Sequence, residues 1–141
     1  MNIYFACSIT GGREFESVYQ AITRALLADG HEVPTAHLAD PGVKATEGAA
    51  DPGEVFARDT AWIRGCDAVV AEVSTPSHGV GFEVAYALNL GKAVVCVYRK
   101  GKTISKMLTG NSHPRLQVVS YQDPEEALAI IRSFLKGLVI L

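Results

Sequence analysis

The sequence predicts an α/β fold in which a parallel sheet of five strands is covered by helices on both sides. Two observations carry this expectation. Strand-like and helix-like segments alternate along the chain, and the strand-like segments are apolar and rich in β-branched residues instead of alternating apolar with polar. A chain of 141 residues with 48% apolar content suits one domain, because a single core usually organises about 100–200 residues. No internal repeat, low-complexity tract or linker divides residues 1–141.

The elements follow in order. Ile3–Cys7 is a short apolar run that enters the turn Ser8-Ile9-Thr10-Gly11-Gly12, as a buried strand entering a glycine-rich turn does. Phe15, Val18, Ile22, Ala25 and Leu26 recur at helical spacing, and Asp29-Gly30 stops that helix. His31–Pro34 reads as a second strand. Residues 39–53 carry no periodicity and read as a loop, long enough to suggest a functional role. A helix is expected over Glu54–Gly65 and a buried strand over Asp67–Val73. Ser74–Gly79 then turns into a helix from Val80 to Leu90, closed by Gly91. Ala93–Tyr98 is a further buried strand, residues 99–115 a polar connection, and Leu116–Ser120 the last strand. Pro124 opens a final helix with Leu128, Ile131 and Leu135 in register. The apolar end Gly137–Leu141 is expected to dock on something, a partner subunit included.

The overall balance excludes several functions. A formal net charge of −2 and a pI near 6.1 lack the basic footprint of nonspecific nucleic-acid binding. A small anion is still compatible, because a few backbone N–H groups can hold one phosphate. The first residues are apolar but too few to span a bilayer, with no basic segment ahead of them, so a strand is expected and not a signal peptide. Cys7, Cys66 and Cys96 form no CxxC or Cys/His cluster, which argues against zinc. Their odd count and wide spacing suit reduced thiols in a cytoplasmic protein.

In a sheet of this kind ligands bind beyond the carboxyl ends of the strands. That directs attention to Ser8–Arg13, the segment around His37, and Ser74–Glu83. The Ser8–Arg13 turn can offer N–H groups to an anion, though a tight strand-to-helix turn explains it as well. In Ser77-His78-Gly79-Val80-Gly81-Phe82-Glu83, the glycines permit close backbone approach. The ordinary explanation for Glu83 is an acid complementing a helix start. Asp59 interrupts the stripe Val55, Phe56, Asp59, Trp62, Ile63. A charge on a buried face costs several kcal/mol unless paired or functional. Its ordinary explanation is a pair with Arg58 or Arg64, or a backbone cap; its functional one is an acid facing a site. Two acids near one sheet end suit glycosidic chemistry, one attacking the anomeric carbon and one handling the proton of the leaving group. Tyr4 needs a hydroxyl partner, either a catalytic carboxylate or an ordinary core acceptor. His37 is a loop histidine open to either a surface or a site role; His31, His78 and His113 read as incidental. Spacing does not decide whether Lys100, Lys102 and Arg115 are solvated or touch phosphate.

Together these segments resemble a known family. Tyr4-Phe5, Ser8-Ile9, Gly11-Gly12-Arg13-Glu14, Thr35-x-His37, Asp59-x-x-Trp62, the run Asp67–Val73 and Pro76-Ser77-x-Gly79-Val80-Gly81-Phe82-Glu83 are similar to the 2′-deoxynucleoside 5′-monophosphate N-hydrolases of the nucleoside 2-deoxyribosyltransferase superfamily. The resemblance runs over nearly the whole chain. It implies a Rossmann-like (flavodoxin-like) sheet and a homodimer with sites completed across the interface. It implies that Glu83 is the nucleophile that forms a glycosyl ester, that Asp59 assists proton transfer to the base, and that Tyr4 positions Glu83. Ser8, Ser77 and Gly79 would hold the 5′-phosphate, with Ile9, Thr10, Gly11 and Arg13 of the same turn. Ser105, near Met107, would be supplied to that phosphate by the partner subunit, and His37 would lie near the base. Thr10 departs from the arginine often found there in the family, which weakens one phosphate contact, and Ala6 and Cys7 also differ. Family substrates include both ribose and deoxyribose, so the pentose stays open.

The implied mechanism has Glu83 attack C1′ opposite the base through an oxocarbenium-like transition state that a nearby anion stabilises. Asp59, protonated or sharing a proton, helps the base leave, and water hydrolyses the ester. This chemistry calls for no metal and no organic cofactor. Two rivals remain: a transferase that passes deoxyribose between free bases, and a nucleotide-binding module without chemistry, which has no use for an acid at position 59.

Overall fold

The computed structural model describes residues 1–139. Its sheet has four strands, β1 (Ile3–Ala6), β2 (Ala68–Glu72), β3 (Ala93–Arg99) and β4 (Leu116–Tyr121), hydrogen-bonded in that order. Every pair is parallel; Tyr4 stands opposite Val69, and Glu72 opposite Val97. The helices are α1 (Glu16–Ala28), α2 (Val43–Ala49), α3 (Pro52–Gly65), α4 (His78–Asn89), α5 (Lys106–Thr109) and α6 (Pro124–Val139), with a 3₁₀ turn at Ala36–Ala39.

Strand alternation divides the core into two. Ile3, Phe5, Val70 and Val95 point to one face and pack with Ile22 and Leu26 of α1 and Ile131 and Leu135 of α6. Tyr4, Val69, Ala71 and Val94 point to the other and pack with Ile63 of α3 and Val80, Val84 and Ala87 of α4. Val80, Val84, Ala87 and Leu88 recur at helical spacing and form the buried face of α4. Helix starts follow the capping rules. Asp51 accepts from the Glu54 amide at 3.1 Å ahead of Pro52, and Ser77 accepts from the Val80 amide at 3.3 Å. No helix of the described residues is long and apolar enough to cross a membrane.

Three expectations need correction. The strand count is four, because His31–Pro34 contributes only one parallel bridge, Asn2 to Glu32. Pro34 has no N–H to extend a ladder, and the Phe5 amide is instead satisfied by the Thr35 hydroxyl at 2.9 Å. The stretch 39–53 is not all loop: Val43–Ala49 is helical. Lys44, Ala45, Glu47 and Ala49 suit a helix while Val43, Thr46 and Gly48 do not, and only Val43 is buried, so there was no stripe to detect. Finally, the α3 stripe is not a core face. Ile63 is buried, but Phe56 is 60% exposed, because this face borders an open cleft. Of the apolar C-terminal segment, Ile140 and Leu141 lie outside the described residues; Val139 is exposed.

Candidate active site

The cleft lies at the carboxyl end of the sheet, between α2, α3 and α4. It encloses about 420 Å³ and is bordered by both acids singled out in the sequence, Asp59 and Glu83, together with Glu47, Gly79, Phe56 and Phe82. Glu83 stands in the second turn of α4, since the helix begins at His78, not at Val80. Dipole complementation at a helix start therefore does not account for it. The Tyr4 hydroxyl, reaching across from β1, donates to Glu83 Oε2 in a short hydrogen bond. This settles the partner of a phenol that is wholly buried.

Burial pushes the Glu83 carboxyl up to about 7, against the opposing pull of the Tyr4 hydrogen bond. The Tyr4 phenol is itself driven well above its ordinary range, first by burial and then by the Glu83 charge. The phenol thus stays protonated and serves as a donor.

Asp59 has the ion pair offered as its ordinary explanation, Arg58 Nε to Asp59 Oδ1 at 2.8 Å, yet it also faces the cleft. Arg58 extends the network. It bonds Glu47 at 2.7 Å and lies 4.9 Å over the Trp62 ring, while His37 Nε2 approaches Glu47 Oε1 at 3.1 Å. Burial alone would raise the Glu47 carboxyl, but the bonds from Arg58 and His37 outweigh it and hold it below its usual range. Glu47 was invisible in the sequence: it stands in an unpatterned stretch, and its partners are distant in the chain. Its effect is to pin α2 onto α3 at the mouth of the cleft. His37 does not border the cleft directly but reaches it through Glu47.

The Ser8–Gly12 turn adjoins the other end. Ser8 is wholly buried, and its Oγ has no hydrogen-bond partner. A side chain at Gly11 would collide with the Pro76 carbonyl and come within 3.0 Å of Ser8 Oγ, and Gly12 has φ +131°, so both positions suit glycine. A Cβ at Gly79 would lie 3.7 Å from Glu83 Oε1 and 3.9 Å from Ser77 Oγ. Ser8 and Gly11 thus meet the turn at Pro76, and Ser77 and Gly79 that follow it lead to Glu83. Ile9 packs on the core and Thr10 is exposed at the tip. Arg13 is committed elsewhere. Its guanidinium donates to Leu38 O at 2.8 Å, Glu16 at 2.9 Å, and Ser8 O and Asp40 O at 3.2 Å each. It thereby fixes the turn from behind.

Ser105 and Met107 are not brought to the Glu83 cleft within one chain. Ser105 caps α5, accepting from the Met107 amide at 3.1 Å, and Met107 is 82% exposed. Both border a neighbouring apolar hollow of about 470 Å³ that also reaches Ser77 and Phe82.

Comparison with known proteins gives a consistent picture. The family described as nucleoside 2-deoxyribosyltransferase matches residues 3–128. The chain is 39% identical to the mouse 5-hydroxymethyl-dUMP N-hydrolase over 138 residues, covering 94% of this chain and 79% of that protein. It is 38% identical to the protein of the same name from Esox lucius, covering 98% of each. Among solved structures it superposes on the CMP N-glycosidase of Clostridium botulinum with a TM-score of 0.73 at 16% identity, over 95% of this chain and 99% of that one. At that identity the likeness speaks for the fold.

Proposed function

The chain belongs to the nucleoside 2-deoxyribosyltransferase family, and from that premise we propose that it is a hydrolase cleaving the N-glycosidic bond of nucleoside 5′-monophosphates, with Glu83 as nucleophile. The single observation that carries this reading is that a Tyr4-held Glu83 and Asp59 border one cleft, next to a glycine-lined turn with a buried, unpartnered serine hydroxyl. The names of the curated relatives, which are N-hydrolases of a nucleoside monophosphate, support the same reaction.

The geometry supports a double displacement through Glu83. A Glu83 carboxylate oxygen attacks C1′, and the C1′–N bond breaks with its electron pair going to the base. Asp59 orients the base and mediates delivery of the proton it takes up. Anionic Glu83 and the Tyr4 hydroxyl stabilise the oxocarbenium-like transition state. Water then attacks C1′ of the ester, its proton passing to Asp59 and the C1′–O electron pair returning to Glu83, which gives sugar 5-phosphate and the free Glu83 carboxylate. Ser8, Ser77 and the Gly11 and Gly79 backbone hold the phosphate, Ile9 and Thr10 flank it, and Arg13 acts through the turn it braces. His37 approaches the base through Glu47.

The reading includes a single-domain subunit acting as a homodimer. The exposure of Ser105 and Met107 beside an apolar hollow that reaches Ser77 supports a site completed by these residues from the partner subunit. Three free, buried cysteines accord with a cytoplasmic setting.

The test combines a substrate panel with one variant. Incubation with common ribo- and deoxyribonucleoside 5′-monophosphates, with and without a free acceptor base, should release base and form no exchanged nucleotide; base exchange would point to the transferase instead. Glu83→Ala should abolish release and leave binding intact. Activity at a tenth of wild type or better would rule out Glu83 as nucleophile.

A further inference from the structure

This mechanism leaves one buried acid unused. Glu72 ends β2 and is fully enclosed. By alternation from Val70 it points to the α1–α6 face, away from Glu83. Its Oε1 accepts from the Ser74 amide at 2.6 Å and its Oε2 from the Tyr121 hydroxyl at 3.2 Å. The Ser74 hydroxyl in turn accepts from the Arg99 amide at 2.7 Å. The Glu72 carboxyl therefore ties the end of β2 to β4, and Ser74, which it holds, adds the end of β3. It does so at the start of the turn that runs through Thr75 and Pro76 to Ser77.

Enclosing an acid is costly unless its oxygens are paired. Burial pushes the Glu72 carboxyl up, partly offset by the bonds from Ser74 and Tyr121. An apolar residue would suit the strand end without that cost but would leave the Ser74 amide unpaired. The neighbouring Tyr19 is also fully buried and lies near enough to Glu72 and Thr75 to feel both, without a well-formed hydrogen bond of its own. The polar cluster thus sits directly beneath the 74–77 turn. Above it, the Pro76 carbonyl blocks any side chain at Gly11, and the Ser77 hydroxyl flanks Gly79.

We propose that Glu72 is a positioning residue for the phosphate end of the cleft, fixing the Ser74–Ser77 turn at the height where Pro76 meets Gly11. It touches neither substrate nor Glu83. The Tyr4–Glu83 pair is held by β1 and α4 and does not depend on it. The inference rests on the phosphate reading given above.

The experiment measures kcat and KM of the full chain on a nucleoside 5′-monophosphate and on the same nucleoside without phosphate. Binding of both is followed by calorimetry where turnover of the nucleoside is slow. Wild type should prefer the nucleotide. Glu72→Ala should raise KM for the nucleotide about tenfold and leave the nucleoside within about twofold. Glu72→Gln, which keeps an oxygen for the Ser74 amide, should restore the preference to within about threefold. Equal losses on both substrates, or an unaltered preference, would overturn the proposal. If Glu72→Ala does not fold, Tyr121→Phe carries the same readout: a preference narrowed about threefold supports the proposal and an unchanged one overturns it. A wild-type enzyme indifferent to phosphate would remove the phosphate reading and this inference together. That outcome is distinct from variants that fail on a discriminating enzyme.

Discussion

Glu72, on β2, and Glu83, on α4, stand beside the carboxyl end of one sheet, on opposite faces, and burial raises both carboxyls. Their surroundings differ. Glu72 has a donor for each oxygen and no opening to solvent. Glu83 has one donor, Tyr4, and its other oxygen faces Gly79 and the cleft. An enclosed acid with both oxygens paired is a brace. An acid with one oxygen held and one presented is poised to react, because its position is fixed while a lone pair stays available.

The largest expected effect tests that contrast directly. Glu83→Gln should lower kcat by more than about 10³-fold, the scale of a lost nucleophile, whereas Glu72→Gln should keep turnover within about threefold. Comparable losses in the two would erase the distinction between brace and nucleophile.

A smaller effect concerns pH. If the Glu83 carboxylate attacks, kcat/KM should rise as pH increases through about 7 and level off above it. The Tyr4 bond lowers the Glu83 value, so Tyr4→Phe should move this acid limb to higher pH. It should cost about tenfold at pH 7 and less at pH 9. A limb unmoved by Tyr4→Phe would mean that another group titrates.

A third effect is on stability. The Glu83 carboxyl titrates near 7 when folded and near 4.5 as a free side chain. Below about 4.5 both forms are protonated and no penalty arises; the penalty grows as pH rises toward 7 and is constant above. Glu83→Gln should therefore be more stable than wild type by about 3 kcal/mol at pH 8, with no difference at pH 4. Denaturant melts at the two pH values check this, and a pH-independent difference would contradict it.

Much of the fold was legible because its signals are local. The strands declare themselves as apolar β-branched runs, and α4 and α6 as stripes that the core buries. What escaped was decided elsewhere. Val43–Ala49 buries one residue, so helix and loop look alike in sequence. The expected second strand shrank to one bridge once Pro34 and the Thr35 hydroxyl ended its ladder. In the site, Glu83, Asp59 and Tyr4 stood out as polar groups at strand ends or on apolar stripes. Glu47 did not, because only folding brings it to Arg58 and His37. Glu72 does carry a sequence signal, an acid inside the apolar run DAVVAEV. Arg13 stands beside the phosphate turn by position, and only the fold reveals that its two terminal guanidinium nitrogens bond three carbonyls and Glu16.

The most direct test is to quench the enzyme with acid during turnover of a nucleoside 5′-monophosphate and map the modified peptide by mass spectrometry. A sugar-phosphate ester on Glu83, present in wild type and missing in Glu83→Gln, is the predicted result. An ester on another residue, or single-turnover base release on the millisecond scale with Glu83 unmodified throughout, would contradict the assignment of the nucleophile.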